Sequence, residues 1–543
     1  MSFAVACVLL LPALVLLGFA LVPTGLANAR VEWLRRTITW ISGLQFVSAF
    51  LLTSLFVTGA SPVIAEQLLS ADHLPFAVSV YFDGVSSLML TLVSFVGWVI
   101  CGYSARYLDG EATQGRYFRW TAFTIGAVSI MVISGNLLMF VAAWILTSLG
   151  LHQLLTHYGH RPAAQRSAWT KFAISRLGDV SLIAALVLIY RQFNTFDFAE
   201  LFAAAESMES VTTSLGVAGF LLVVGAITKS AQFPFHTWLP LTMETPTPVS
   251  ALMHAGIVNA GGYLMIRTSP LVALAPWALT FLAIVGGFTA CFAAVVMLTQ
   301  TSVKKSLAYS TIAQMGFMML QCGLGAFSAA MLHIIAHSLY KAHAFLSSGT
   351  LFPGEQVPDP RLNAHRVDAH RVDAHRVDAQ AFGRLITSWG IAGISTLGIL
   401  SLSFAAFGVD PIVKPGGLLL GGVICLALTY WVAQVYQAGN AKLWVQAMIV
   451  AGALCTAYTC SFVAVDQVIS ASIPSSNTAQ IPWAVSGIIL VGFLAVFGLQ
   501  ATVTGKSQAK WISKWHVHAS NGFYMESIVR RLLAPIRHLN ANG

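Results

Sequence analysis

The sequence predicts an all-α, polytopic membrane protein with about fifteen transmembrane helices, and three observations carry that prediction. Hydrophobic residues make up 57% of the 543 and charged residues 9%, with a mean hydropathy of +0.76; no soluble core needs so much apolar chain. The apolar residues fall into runs of ~20, the length that an ~30 Å hydrocarbon core demands. Lys and Arg gather in alternate gaps between those runs, as expected of loops held on one side of a membrane.

In order, the spans lie near residues 3–22, 37–58, 85–104, 119–134, 136–156, 168–190, 213–232, 247–267, 275–298, 305–323, 326–352, 381–407, 416–438, 442–464 and 482–502. The first, MSFAVACVLLLPALVLLGFALV, has neither a basic leader nor an A-x-A cleavage site and reads as a retained helix. The expected organisation is amino-terminal transmembrane helices over 1–80, a central core over 81–352 and a polar loop over 353–380. Further transmembrane helices follow over 381–504, with an amphipathic tail over 505–543.

With the amino terminus outside, 23 of the 29 Lys and Arg fall in inside loops or the tail, among them Arg30, Arg35, Arg36, Arg161, Arg166 and Lys171. Arg191, Arg267 and Lys414 fall outside, and Arg176, Lys229 and Lys341 fall within helices. The bias predicts a multi-pass membrane protein with its amino terminus outside and its carboxyl terminus in the cytoplasm. A basic cytoplasmic face accounts for the net charge of +9 without nucleic acid.

The seven cysteines are scattered and form no CxxC pair, so they read as small hydrophobes rather than disulfides or structural zinc ligands. Residues 365–379 repeat HRVDA three times. A five-residue step turns ~140° around a helix, so His365, His370 and His375 would not share a face; a solvated loop is expected. The tail, KWISKWHVHASNGFYMESIVRRLLAPIRHL, mixes Trp, Ile and Leu with basic residues. It suits an interfacial helix or a partner-docking surface.

The ionisable residues inside the spans are few. Lys229 lies in LLVVGAITKSAQFPFHTWLP, an apolar helix that Pro234 is expected to break. A charge near a bilayer centre costs roughly 2.5–3.5 kcal/mol on insertion scales. Irregular backbone at that depth survives only where protein or a water-filled cavity satisfies it. Arg176 and Asp179, three apart, share a helical face and form an ion pair of structural or transport role. His254 follows in SALMHAGIVNAGGYLMIR. In AMLHIIAHSLYKAHAFLSSG, His333, His337 and Lys341 stack along one face at i, i+4 and i+8, with His343 round the side. Three protonatable groups on one stripe read as a proton wire. A polar helix–helix seam is the plainer alternative, and metal ligation by the two histidines lacks a third ligand nearby.

The stretch TKSAQFPFHTWLPLTMETPTPVSALMHAG resembles the signature of the antiporter-like proton-translocating membrane subunits, which include the large membrane subunits of respiratory complex I and the Mrp antiporters. The resemblance extends through SVKKSLAYSTIAQMGFMML, LHIIAHSLYKAHAFLSSG, FDGVSSLML and SRLGDV, over roughly residues 80–352. It implies that 81–352 is an antiporter-like proton-translocation core and that Lys229, His254, Lys304, His333, His337 and Lys341 form a proton pathway. Arg176 and Asp179 would support it as an ion pair. It also implies two inverted five-helix repeats, each with a discontinuous helix. Pro234 marks the first break; the second is expected within 381–407, where Gly390 and Gly393 are the only hints.

The departures narrow the reading. Proton-pumping members carry a glutamate directly after a tryptophan before the RxGD segment; here AAWILTSLG places Ile145 after Trp144. Lys229 must then find another counter-ion, and Asp179 is the candidate. A shorter branch fits better: the chain resembles DabB, the membrane subunits of inorganic carbon uptake systems. That resemblance implies a proton- or sodium-conducting transport subunit rather than an enzyme, with no cofactor of its own. Carbonic-anhydrase-like chemistry would belong to a DabA-like zinc protein as partner. The alternatives are an antiporter-like subunit of a complex I or membrane hydrogenase type redox complex, and a non-transporting scaffold.

Overall fold

A computed structural model describes residues 2–59, 63–70, 77–208, 211–349, 379–437, 439–474, 482–504 and 510–531. The HRVDA repeats, with His365, His370 and His375, lie outside the described residues. The chain is an all-α membrane protein in which each predicted span coincides with helix. Among the described residues, eleven helical stretches are long and apolar enough to cross a membrane. Four predicted spans fall short of that set: Gln114–Ile133, Thr213–Lys229, Val303–Gly323 and Phe327–Ser348. Three of these four carry Lys229, Lys304 or the His333–Lys341 stripe. Thr213–Lys229 falls short by length alone, at 17 residues.

The sequence reading left residues 59–84 as a loop, but they contain an antiparallel hairpin of Ile64–Ser70 and Ala77–Phe82. The Asn136 amide holds it to the bundle, donating to the Ala77 carbonyl at 2.7 Å while its oxygen caps the helix Leu137–Leu155 by accepting from Met139. Two short strands are lost in a reading tuned to runs of twenty apolar residues.

Pro276–Met297 packs closely against Val303–Gly323. A Cβ on Gly286 or Gly316 would run into the facing backbone, the small-residue contact by which membrane helices pack without a hydrophobic driving force between them.

Arg267 corrects the sequence reading, which placed it in an outside loop. It ends the helix Ala260–Arg267, is 2% exposed, and binds the Asp83 carboxylate through both terminal nitrogens at 2.8 and 3.0 Å. Asp83 also accepts from Ser86 to cap the helix Gly84–Tyr107. Arg267→Met would strand a buried carboxylate and is expected to cost about 3–5 kcal/mol. The expected result is a clear drop in the thermal midpoint of the detergent-solubilised protein.

Two helices break where the site lies. Thr213–Lys229 ends at Lys229 itself, earlier than Pro234 suggested, and Ala231 turns the chain with φ +50° before short 3-10 turns over Phe235–Trp238 and Pro240–Glu244. The second break was unforeseen: Thr247–Ala255 stops at Gly256, Ile257–Asn259 winds as a 3-10 turn, and Ala260–Arg267 resumes. The break expected within 381–407 is absent, because Ala379–Ala406 runs unbroken through Gly390 and Gly393. Glycine only permits a break.

The tail folds back on the bundle at the end that carries Lys304 and Arg161. Phe523 packs on Phe292 with ring centroids 5.6 Å apart, and the Gln300 amide donates to the Ser520 carbonyl.

Candidate functional site

Lys229 is 4% exposed and has three neutral acceptors. Its Nζ donates to the Trp144 carbonyl at 3.1 Å and to the hydroxyls of Thr147 and Ser148, each at 2.8 Å. It also lies over the Trp144 ring, 4.4 Å from the centroid, a contact worth about 2 kcal/mol when desolvated. The spacing of Trp144, Thr147 and Ser148 puts all three on one face of Leu137–Leu155. Ile145, where the pumps have their acid, packs against the hydrophobic core.

The counter-ion expectation needs correction. Asp179 pairs with Arg176, one turn away on the helix Pro162–Phe193, at 2.6 Å. It makes no ion pair with Lys229 within 4.0 Å among the described residues. The ion partner of Asp179 is local, and the hydrogen-bond acceptors that Lys229 reaches are all neutral. Lys171, read from sequence as a cytoplasmic loop residue, is buried instead. It is 2% exposed and donates to the Ser148 carbonyl at 3.0 Å.

A second cluster gathers on Phe327–Ser348. Lys341 is fully buried, its Nζ donating to the Leu307 carbonyl at 3.2 Å and the Ser310 hydroxyl at 2.8 Å. One turn back lies His337, and one turn further His333, whose Nδ1 meets Gln321 Oε1 at 3.0 Å; the two imidazoles are 6.0 Å apart. His254 joins from Thr247–Ala255, stacked on Phe345 at 4.2 Å with Nδ1 3.0 Å from the Thr311 hydroxyl. The structure thus brings His254, His333, His337 and Lys341 together. Lys304 stands apart, half-buried in the first turn of Val303–Gly323, three residues before the Leu307 carbonyl that holds Lys341. His343 is exposed.

The broken helix links the clusters. Ser230, next to Lys229, donates to the Val258 carbonyl; Asn259, next to Val258, donates to the Ser338 hydroxyl at 2.8 Å, and Ser338 follows His337. Several buried polar atoms along this line have no protein partner: both ring nitrogens of His337, Nε2 of His254, Oδ1 of Asn259 and Oε1 of Gln232. Buried polar groups rarely go unsatisfied, so internal water is their natural partner. Together these groups can pass a proton between alternately protonated amines, imidazoles and water. Sequence reasoning missed Lys171 and Asn259. Pro162 at the first turn of its helix was the available signal for Lys171, since it starts the helix early and carries Lys171 two turns in.

Comparison with known proteins agrees with this architecture. A family model described as "NADH:quinone oxidoreductase/Mrp antiporter, TM" matches residues 134–359, and one for the amino terminus of complex I chain 5 matches 68–118. The chain is similar to the probable inorganic carbon transporter subunit DabB2 of Halothiobacillus neapolitanus, at 36% identity over 536 residues, covering 96% of this chain and 92% of that protein. It is 34% identical over 351 residues to the chloroplastic NAD(P)H-quinone oxidoreductase subunit 5 of Buxus microphylla, covering 63% of this chain but 47% of that protein. In fold it is similar to the Mrp complex from Dietzia sp. DQ12-45-1b, with a TM-score of 0.66, 22% identity, and coverage of 98% of this chain and 60% of that one.

Proposed function

Because the chain belongs to the DabB family of inorganic carbon transporter subunits, within the wider complex I and Mrp antiporter-like family, we propose that it is the proton- or sodium-conducting subunit of an energy-coupled CO2/bicarbonate uptake pump. It works with a DabA-like zinc protein that resembles carbonic anhydrase, in the bacterial inner membrane, with its amino terminus outside. The carbon chemistry resides in that partner, and this chain supplies the ion flux that drives it.

The observation that carries the proposal is the pair of buried ionisable clusters, Lys229 on one side and His254, His333, His337 and Lys341 on the other, with the polar contacts of Ser230, Asn259 and Ser338 between them. Buried charge at membrane depth is costly to keep without use. Lys229, Lys341, His254, His333 and His337 are the stations, with Lys304 at the mouth below Lys341. Arg176 and Asp179 hold the local field. Lys229 sits among dipoles, so losing its proton strands no paired carboxylate, unlike the lysine–glutamate arrangement of redox-driven pumps.

The second reading, a subunit of a redox complex, draws on the likeness to the chloroplastic quinone oxidoreductase subunit. The near end-to-end match with DabB2 favours carbon uptake. The test is growth in air and bicarbonate uptake by a host lacking carbonic anhydrase. Co-expression of this chain with its zinc partner is expected to restore both. Restoration by the partner alone, or purification of this chain with quinone-reductase subunits, would reject the proposal.

A further inference from the structure

The proton pathway proposed above uses Lys229 as its first station, and nothing in the resemblance says what replaces the absent acid there. The geometry points to Lys171. We propose that Lys171 is a proton-exchanging station that works as a pair with Lys229 across Ser148, taking the place that the glutamate holds in the redox-driven pumps.

Ser148 is shared. Its carbonyl accepts from Lys171 at 3.0 Å and its hydroxyl accepts from Lys229 at 2.8 Å. Both lysines are almost wholly buried. Around them, among the described residues, stand Arg176 and one acid, Asp179, which Arg176 engages at 2.6 Å. When both lysines are protonated the cluster holds three cations against one carboxylate. Like charges in one buried site disfavour each other's ionised form, so the site favours shedding one proton. Arg176 cannot release it, because guanidinium stays protonated in proteins. The surplus proton therefore belongs to the lysine pair.

Transfer is balanced. One N–H bond breaks on Lys171, one forms on the neutral amine of Lys229, and the net charge of the cluster is unchanged. A cavity of ≈ 130 Å³ at the basic end is lined by Arg166, Thr170, Thr237, Glu526 and Arg530, beside the turn that bears Lys171. This inference rests on the pathway reading, so its test must separate the two.

The full chain with its partner, in proteoliposomes under an imposed pH gradient, is compared with its Lys171→Met, Lys171→Arg and Lys229→Met variants. Lys171→Arg keeps the positive charge but not the exchangeable proton. It is expected to assemble with an unchanged thermal midpoint and to lose proton flux by about tenfold or more. Lys171→Met is expected to lose as much. If Lys171→Arg keeps more than about a tenth of the flux, the residue is only a fixed charge and the inference fails. Should Lys171→Met fail to fold, Lys171→Arg alone decides. A normal wild-type flux that Lys229→Met abolishes leaves the pathway intact whatever Lys171 does. A wild-type complex that moves no protons overturns both.

Discussion

Lys229→Met is expected to abolish bicarbonate uptake, with a loss of about tenfold or more, while the chain stays in the membrane and bound to its partner. The expectation of an intact fold comes from what surrounds the ammonium group. Its acceptors are a helix carbonyl and two hydroxyls. Thr147 already donates to the Trp144 carbonyl at 2.7 Å, and Ser148 is free to bond back along its own helix. Removing the charge therefore strands no counter-ion, and the structural cost stays near that of a lost hydrogen bond, about 1–3 kcal/mol. A salt-bridged lysine would behave differently, because its loss would leave a buried carboxylate. Uptake and assembly should separate cleanly in this variant, measured as labelled bicarbonate accumulation and co-purification of the partner.

Lys341→Met carries the second large expectation. Lys341 is fully buried and held by the Leu307 carbonyl and the Ser310 hydroxyl, again without a carboxylate. One turn away, His337 has no protein partner on either ring nitrogen. A histidine in that state can hand protons to water or to Lys341 but adds little to stability. Loss of Lys341 should therefore remove about tenfold or more of the flux with modest effect on folding. The two stations are in series along one route. The double variant Lys229→Met, Lys341→Met should lose no more than the more damaging single change, since a blocked series is not blocked twice. Multiplicative losses would mean two independent routes.

What the sequence made legible was the expensive part of the site. Lys229, His254, His333, His337 and Lys341 were readable because ionisable residues inside apolar spans are rare and costly. Helical spacing alone placed three of them on one stripe. Their partners were not readable. Thr147, Ser148, Ser310 and Asn259 belong to residue types spread throughout the chain, and only three-dimensional packing shows which of them meet a charge. Lys171 was counted with the loop cations although the predicted span 168–190 already reached it; the helix begins at Pro162 and carries it two turns in.

The breaks divide the same way. The interruption after Lys229 was announced by a proline and a charge, although the helix ends five residues before the proline. Gly256 breaks a helix whose sequence looks continuous. Gly390 and Gly393 leave theirs intact. Glycine permits both outcomes, and the packing of neighbouring elements decides. Arg267 shows the converse error: a span boundary suggested exposure, while the Asp83 carboxylate draws the guanidinium inside.

The central claim is that this chain conducts ions through the buried line from Lys229 to Lys341. The most direct measurement is proton or sodium flux into sealed vesicles that contain the chain with its zinc partner, under an imposed gradient and without any redox substrate. The account predicts flux that exceeds empty vesicles and vanishes in Lys229→Met. Wild-type vesicles as tight as empty ones, with the partner bound and folded, would contradict it and leave the fold as a scaffold.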